Sequence, residues 1–249
     1  MDIQQRIDLK SQLPDKYWAS IPEYIQKEPT PVKWTWPRVM QDQGRSNPMT
    51  LDRRTFAFAK TWAVQRPGAR ALDICTGAGA HANSMAKAGL SVTAFDIDPI
   101  AIQYAMAVAA SYGLRVKFEI GDMLDMKYTN GYFTFATAFK CLYLTNMDRM
   151  RRAASEIDRI LEPGGQIIGE VSLKSEEYEI YQEMAPDAFI DSNTAWVASS
   201  KYNPEPAEPR CYISEAELES LFPNFEIKEL SKHKFCQSVF LYFVGTKLR

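Results

Sequence analysis

Between Ala69 and Ser172, short apolar runs alternate with segments of helical period through five strands. Ala71-Leu72-Asp73-Ile74-Cys75 predicts a short buried strand, followed by a glycine turn and a helix through Ala88 that Gly89 ends. Ser91–Phe95 is the second strand. Asp98-Pro99 then opens a helix, with Asp98 as N-cap and proline at the first helical position, and Gly113 closes it. Val116, Phe118 and Ile120 alternate as a third strand, and Tyr132–Phe139 is a fourth. A helix around Met147–Leu161 stops at Pro163-Gly164-Gly165, and Gln166–Ser172 is a fifth strand. Strands alternating with helices imply a parallel α/β sheet joined by right-handed crossovers. Ligands of such sheets bind beyond the carboxyl ends of the strands, at the switch point.

The flanks read differently. Residues 1–48 are rich in proline and aromatics, with Trp18, Trp34 and Trp36 as packing anchors, and are expected to form an extension or lid. Residues 49–64 suit a helix ended by Pro67-Gly68. Lys174–Met184 looks helical, and 185–213 reads as a long proline-rich stretch without regular structure, of the kind that serves as a lid. Ser214-Glu215-Ala216-Glu217 is a capping box opening a helix through Phe222. Phe225–Leu230 and Phe235–Val244 read as two strands joined by a tight turn.

Charge excludes some functions. Lys and Arg number 29 against 31 Asp and Glu, which gives no long-range pull on nucleic acid or an anionic membrane. No apolar run approaches the ~20 residues that span a bilayer, and the first residues lack the layout of a secretion signal. Cys75, Cys141, Cys211 and Cys236 are far apart with no CxxC pair, so a cytoplasmic protein with free thiols and no metal site is expected. The sequence does not decide between monomer and homodimer.

The chemistry concentrates at strand ends. Gly77 and Gly79 in Cys75-Thr76-Gly77-Ala78-Gly79 let the backbone approach a ligand. Alone, Gly77-x-Gly79-x-x-Ala82 also fits a dinucleotide fingerprint, which keeps an NAD-dependent oxidoreductase in view. Asp73 alters the balance, because a pyrophosphate gains nothing from an acid there. S-adenosylmethionine carries an ammonium and a sulfonium and does gain. Asp96, ending the second strand, is placed to accept from both ribose hydroxyls, and Asp122 in Gly121-Asp122-Met123 from the adenine amino group, with Met123 lining the ring.

On these residues, and on Leu161-Glu162-Pro163-Gly164-Gly165, the chain resembles the class I S-adenosylmethionine-dependent methyltransferases, with a shorter likeness at Gly89–Asp96 to the tellurite-resistance type. The resemblance implies a doubly wound, seven-stranded Rossmann-like sheet in the order 3-2-1-4-5-7-6 with the last strand antiparallel. It implies a methyltransferase domain over 49–249 with 174–213 as an insertion on the acceptor side. It also implies S-adenosylmethionine as donor, S-adenosylhomocysteine as product, and in-line transfer to a small organic acceptor. The cofactor residues carried over are Asp73, Cys75, Thr76, Gly77, Ala78, Gly79, Asp96, Ile97, Asp122, Met123 and Phe139. Two positions depart from the family: Cys75 replaces its usual first glycine, a change read as sterically mild, and Thr134 replaces a common acid. Tyr143, Glu170 and His233 are the candidate catalytic or acceptor-facing groups, beside a solvated Lys140 and a loop-shaping His81. An RNA or protein methyltransferase of the same fold and a non-catalytic cofactor-binding protein remain alternatives.

Overall fold

Thr55, Ala59 and Trp62 recur at helical spacing and are all buried, so they form the inner stripe of helix α1 (Arg53–Gln65). The helix stops at Pro67-Gly68, where Gly68 takes a φ of 80°. The structure, a computed structural model, describes residues 53–175, 190–200, 203–235 and 238–248. The extension at 1–48, its three tryptophans and Cys236 lie outside the described residues, as does all but the start of the helix expected at Lys174–Met184.

The chain divides into two units, Met1–Lys127 and Tyr128–Arg249. In the first, strands β1 (Arg70–Ile74), β2 (Ser91–Asp96) and β3 (Val116–Ile120) run parallel in the order β3-β2-β1. Ile74 pairs with Phe95 and Asp96 with Ile120, so the three strands end nearly level. Helices α2 (Ala80–Lys87) and α3 (Pro99–Ser111) make the crossovers. Asp98 caps α3 as expected, accepting from the Ile100 N–H at 2.8 Å.

In the second unit, β4 (Phe133–Ala138), buried at every position, lies parallel to β5 (Leu161–Leu173). Helix α4 (Met147–Ile160) precedes β5 and buries Met150, Ala153, Ile157 and Ile160 on one stripe. Further along are β6 (Thr194–Ser200), β7 (Asn203–Ile213), α5 (Glu215–Leu221), β8 (Phe225–Phe235) and β9 (Ser238–Lys247). β9 runs antiparallel to β5 from Gln166 to Ser172, and β8 antiparallel to β9. With β8 and β9 as the expected sixth and seventh strands, this unit has the order 4-5-7-6 with the last strand antiparallel and the first unit has 3-2-1, as the expected order requires of each.

The stretch 185–213, expected to lack regular structure, differs. Its described part forms an antiparallel hairpin of β6 and β7. β7 contains Pro204, Pro206 and Pro209, and its register slips near Pro206. Prolines are tolerated in strands at edges and bulges, which is why the composition suggested a loop. The hairpin joins β5 through two parallel rungs, Ser172 with Tyr212 and Leu173 with Ile213.

The capping box forms at α5, and Glu217 does more than close it. Its carboxylate accepts from the Ser214 N–H at 2.8 Å, Ser214 Oγ at 3.0 Å, Asn193 Nδ2 at 2.9 Å and Lys174 Nζ at 3.2 Å. Burial opposes ionisation, but these donors outweigh it and hold the group at about 2 instead of 4.5. A depressed carboxylate stabilises the fold above its unfolded value, and that contribution fades as pH falls from about 4.5 toward 2. Glu217→Gln is therefore expected to cost about 2 kcal/mol at pH 7, after allowance for partial exposure. Urea unfolding at pH 7 and pH 3 checks it: the gap between variant and wild type should narrow at the lower pH, and a constant gap would sink the linkage.

Candidate active site

The turn after β1 is built by its own acids. Asp73, 1% exposed, accepts from Thr76 Oγ1 at 2.6 Å and from the Ala82 N–H at 3.0 Å. It thus joins the turn to the first turn of α2, whose N-cap, Gly79, has no side chain to offer. Thr76 continues the strand ladder through its N–H to Phe95 O, and the Gly79 N–H returns to Thr76 O. Gly77 and Gly79 have φ of 55° and 83°. At Gly79 a β-carbon would also stand 3.0 Å from Ala105 Cβ, so both conformation and space demand glycine. Ala78 is buried between them.

Cys75, where the family carries glycine, has φ of 53°. The substitution read as mild places a side chain in the left-handed region, at a cost of order 1 kcal/mol. Lys140, just past β4, sits at 54° in the same way. Strained non-glycine residues therefore follow two strand ends, a feature common at functional sites.

Asp96 is the electrostatic centre of the first unit. It ends β2 at 8% exposure and accepts from the Gly77 N–H at 2.8 Å and the Asp98 N–H at 3.0 Å, one on each oxygen. Burial pushes its carboxyl from 3.8 up to about 6. The two backbone donors pull the other way, and Asp98 and Asp73 add repulsion. A buried carboxylate of that kind gains from further donors, and each oxygen keeps lone-pair capacity for one. A vicinal diol supplies two hydroxyl donors, so these residues fit a ribose. Ile97, beside Asp96, is half-buried.

Asp122 follows β3 and uses Oδ1 to accept from the Leu124 N–H at 2.9 Å, which fixes the next turn. Met123 Sδ lies 3.8 Å from Cys75 Sγ, so β1's end and the residue after Asp122 adjoin. Asp73, Cys75, Asp96, Asp122 and Met123 therefore gather where β1, β2 and β3 finish. His81, in the first turn of α2, is half-buried.

The second unit holds the remaining candidates. Phe139 is half-buried, its ring centre 6.2 Å from that of Tyr242. Tyr143 is buried, 5.5 Å from Phe240, with the Arg210 guanidinium 5.6 Å over its ring. Glu170 on β5 and His233 on β8 approach to 3.5 Å. Thr134 is buried within β4.

Three features were not anticipated. Arg210 was lost in the stretch taken for a loop. The bond from Gly77 to Asp96 joins residues 19 apart, and no local pattern signals it. Asn83 lies fully buried in α2 with neither amide atom hydrogen-bonded. A polar residue between Ala82 and Met85 on an apolar face was its one available sign.

The chain is similar to several known proteins. Residues 71–165 match the family model described as a methyltransferase domain. Over 122 residues the chain is 34% identical to the ubiquinone/menaquinone biosynthesis C-methyltransferase UbiE of Bordetella parapertussis, covering 47% of this chain and 46% of that one. A SAM-dependent methyltransferase from Methanosarcina mazei superposes with a TM-score of 0.66 at 22% identity, over 74% of this chain and 94% of the other. Burkholderia thailandensis 1,6-didemethyltoxoflavin-N1-methyltransferase, solved with its acceptor and S-adenosylhomocysteine, gives 0.62 at 17%, over 95% and 91%. These structural likenesses establish the fold. The chain spans 36% to 46% of the length of the curated relatives it matches. Segment 71–165 is thus the part of the chain that is similar to methyltransferase domains. Among the described residues no helix is long and apolar enough to cross a membrane.

Proposed function

We propose that the chain is an S-adenosylmethionine-dependent methyltransferase acting on a small organic acceptor. The observation that carries this reading is Asp96. It is a buried carboxylate at the end of β2, held by a glycine-turn N–H and suited to a diol. Asp73 and Gly77 to Gly79 shape the turn beside it, and Asp122 with Met123 is the adenine-side pair. Phe139 and Tyr143, both of the second unit, are the aromatics assigned to the acceptor. The UbiE and toxoflavin enzymes, whose names describe small-molecule methylation, support the acceptor class.

Methyl transfer from a sulfonium needs alignment above all. Holding the attacking atom in line supplies up to ~7–11 kcal/mol of the barrier, so the residues that bind and orient carry most of the catalysis. The test has two stages. Calorimetry should show S-adenosylhomocysteine binding and no NAD binding; the reverse would reassign the glycine turn to a dehydrogenase. Incubation of a cell extract with methyl-labelled S-adenosylmethionine should then place label in a low-mass organic compound. Label confined to RNA or protein would overturn the acceptor class.

A further inference from the structure

The outer strand of the first unit is apolar at alternate positions and yet fully buries none of them. In β3, Val116, Phe118 and Ile120 are half-buried, whereas β1 and β2 bury most of their residues. β3 pairs with β2 on one side, and among the described residues no strand adds to its other edge. A strand in that position presents backbone N–H and C=O groups to any chain that can lie beside it. Edges of this kind are commonly blunted by a lysine, whose charge repels a second copy. β3 carries Lys117, but Glu119 follows two positions on, and the two side chains pair at 2.8 Å on one face of the strand. The edge is therefore balanced in charge.

The helix packed on this strand continues the same surface. α3 lies against β3, and no residue from Pro99 to Leu114 is charged. Its inner stripe of Ala101, Ile102, Ala105, Val108 and Ala109 is buried. Its outer face is exposed at Met106, Ala107, Ala110 and Ser111, and Tyr112 just beyond it is 49% exposed. A solvated helix face ordinarily carries charge, as α4 does with Arg149, Arg151 and Arg152. An exposed face without charge, beside an open apolar strand, has the composition of the centre of a protein contact.

We infer that β3 and α3 form a docking surface for a second copy of this chain, with the two β3 strands paired antiparallel, edge to edge, about a two-fold axis at Phe118. Charge fixes the register. A two-fold at position 118 sets Lys117 opposite Glu119 of the second copy, and Glu119 opposite its Lys117. Val116 then faces Ile120 and Phe118 faces its own twin, so apolar positions meet apolar ones. A two-fold at 117 or at 119 would instead set like charges face to face, which is destabilising. An axis perpendicular to the sheet also keeps both α3 helices on one face, where their uncharged outer surfaces flank the joint. The surface is complementary to itself, a property that a foreign partner would not require. Strand, helix and ion pair all belong to the first unit, and the inference is independent of the methyl-donor reading.

Sedimentation equilibrium of the full chain up to about 100 μM should show a reversible monomer–dimer equilibrium, the behaviour of a modest two-fold interface. Lys117→Glu and Glu119→Lys each make the edge repel its own copy, and each should weaken the dimer by about tenfold or more. Mixed in equal amounts, the two variants set two acidic positions against two basic ones. Association between them should return to within about threefold of the wild-type affinity. Lys117→Gln, which loses the attraction without adding repulsion, should weaken the dimer by about threefold, and it serves if a reversed charge lowers the melting temperature. A wild-type chain that stays monomeric over this range would leave the face to a different occupant and end the inference. A dimer indifferent to both reversals, or folded variants that fail to associate when mixed, would rule out this register equally.

Discussion

Replacing Asp96 with asparagine is expected to weaken S-adenosylhomocysteine binding by about 30- to 1,000-fold, roughly 2–4 kcal/mol, without lowering the melting temperature at pH 8. The two halves of this expectation share one cause. Asp96 titrates near 6 in the fold against 3.8 unperturbed, because burial penalises its charge. A raised carboxylate stabilises the folded state most below its unfolded value, and the benefit disappears as pH rises through 6. At pH 8 the ionised group therefore costs the ligand-free fold about 3 kcal/mol. Asparagine escapes that cost, and its single acceptor oxygen keeps one of the two backbone bonds, a loss of one hydrogen bond that the relieved burial penalty offsets. The ligand sees the opposite balance, because it loses two charge-assisted acceptors. Wild-type affinity should hold above pH 6 and fall by up to tenfold per unit below it, whereas the variant should be flat. Calorimetry between pH 5 and 8 decides the matter. A variant binding within threefold of wild type would place the ribose elsewhere.

Gly169→Val should be the most damaging substitution away from the strand ends, at about 3 kcal/mol. A β-carbon there would stand 2.6 Å from Cε1 and 2.7 Å from Cζ of Phe243, with the carbonyl of Ala138 at 3.2 Å. The ring has nowhere to go, since it is fully buried and packed on Phe222. Phe243→Leu removes the two offending carbons. The double variant should accordingly be more stable than the sum of the single losses by about 2 kcal/mol. Chemical denaturation of the four proteins measures that coupling, and strict additivity would show that the ring is not what excludes a side chain at 169.

Much of the fold could be read from local signals. Strands β1 to β5 announced themselves as apolar runs between turn residues, and Asp98-Pro99 and Ser214–Glu217 marked helix starts that the structure places at α3 and α5. The hairpin of β6 and β7 escaped notice because prolines at an edge look the same in sequence as prolines in a loop. Strand-end acids at 73, 96 and 122 were legible by position, but what each holds was not. Asp73 proved to bind the turn's own Thr76 and Ala82. The meeting of Glu170 with His233 depends on a strand inserted between theirs, which no spacing along the chain encodes.

The attachment of the β6–β7 hairpin has an evolutionary corollary. Two ladder rungs, the Cys211 N–H bonded to the Tyr143 carbonyl and the knot at Glu217 fasten the described hairpin to the rest of its unit. These described ties gather at the base of the hairpin, around Asn193 and Cys211 to Ile213, so its length can change while the strands beneath keep their register. If the hairpin chooses the acceptor, as the resemblance implies for an insertion at 174–213, that choice can change over a scaffold that stays the same.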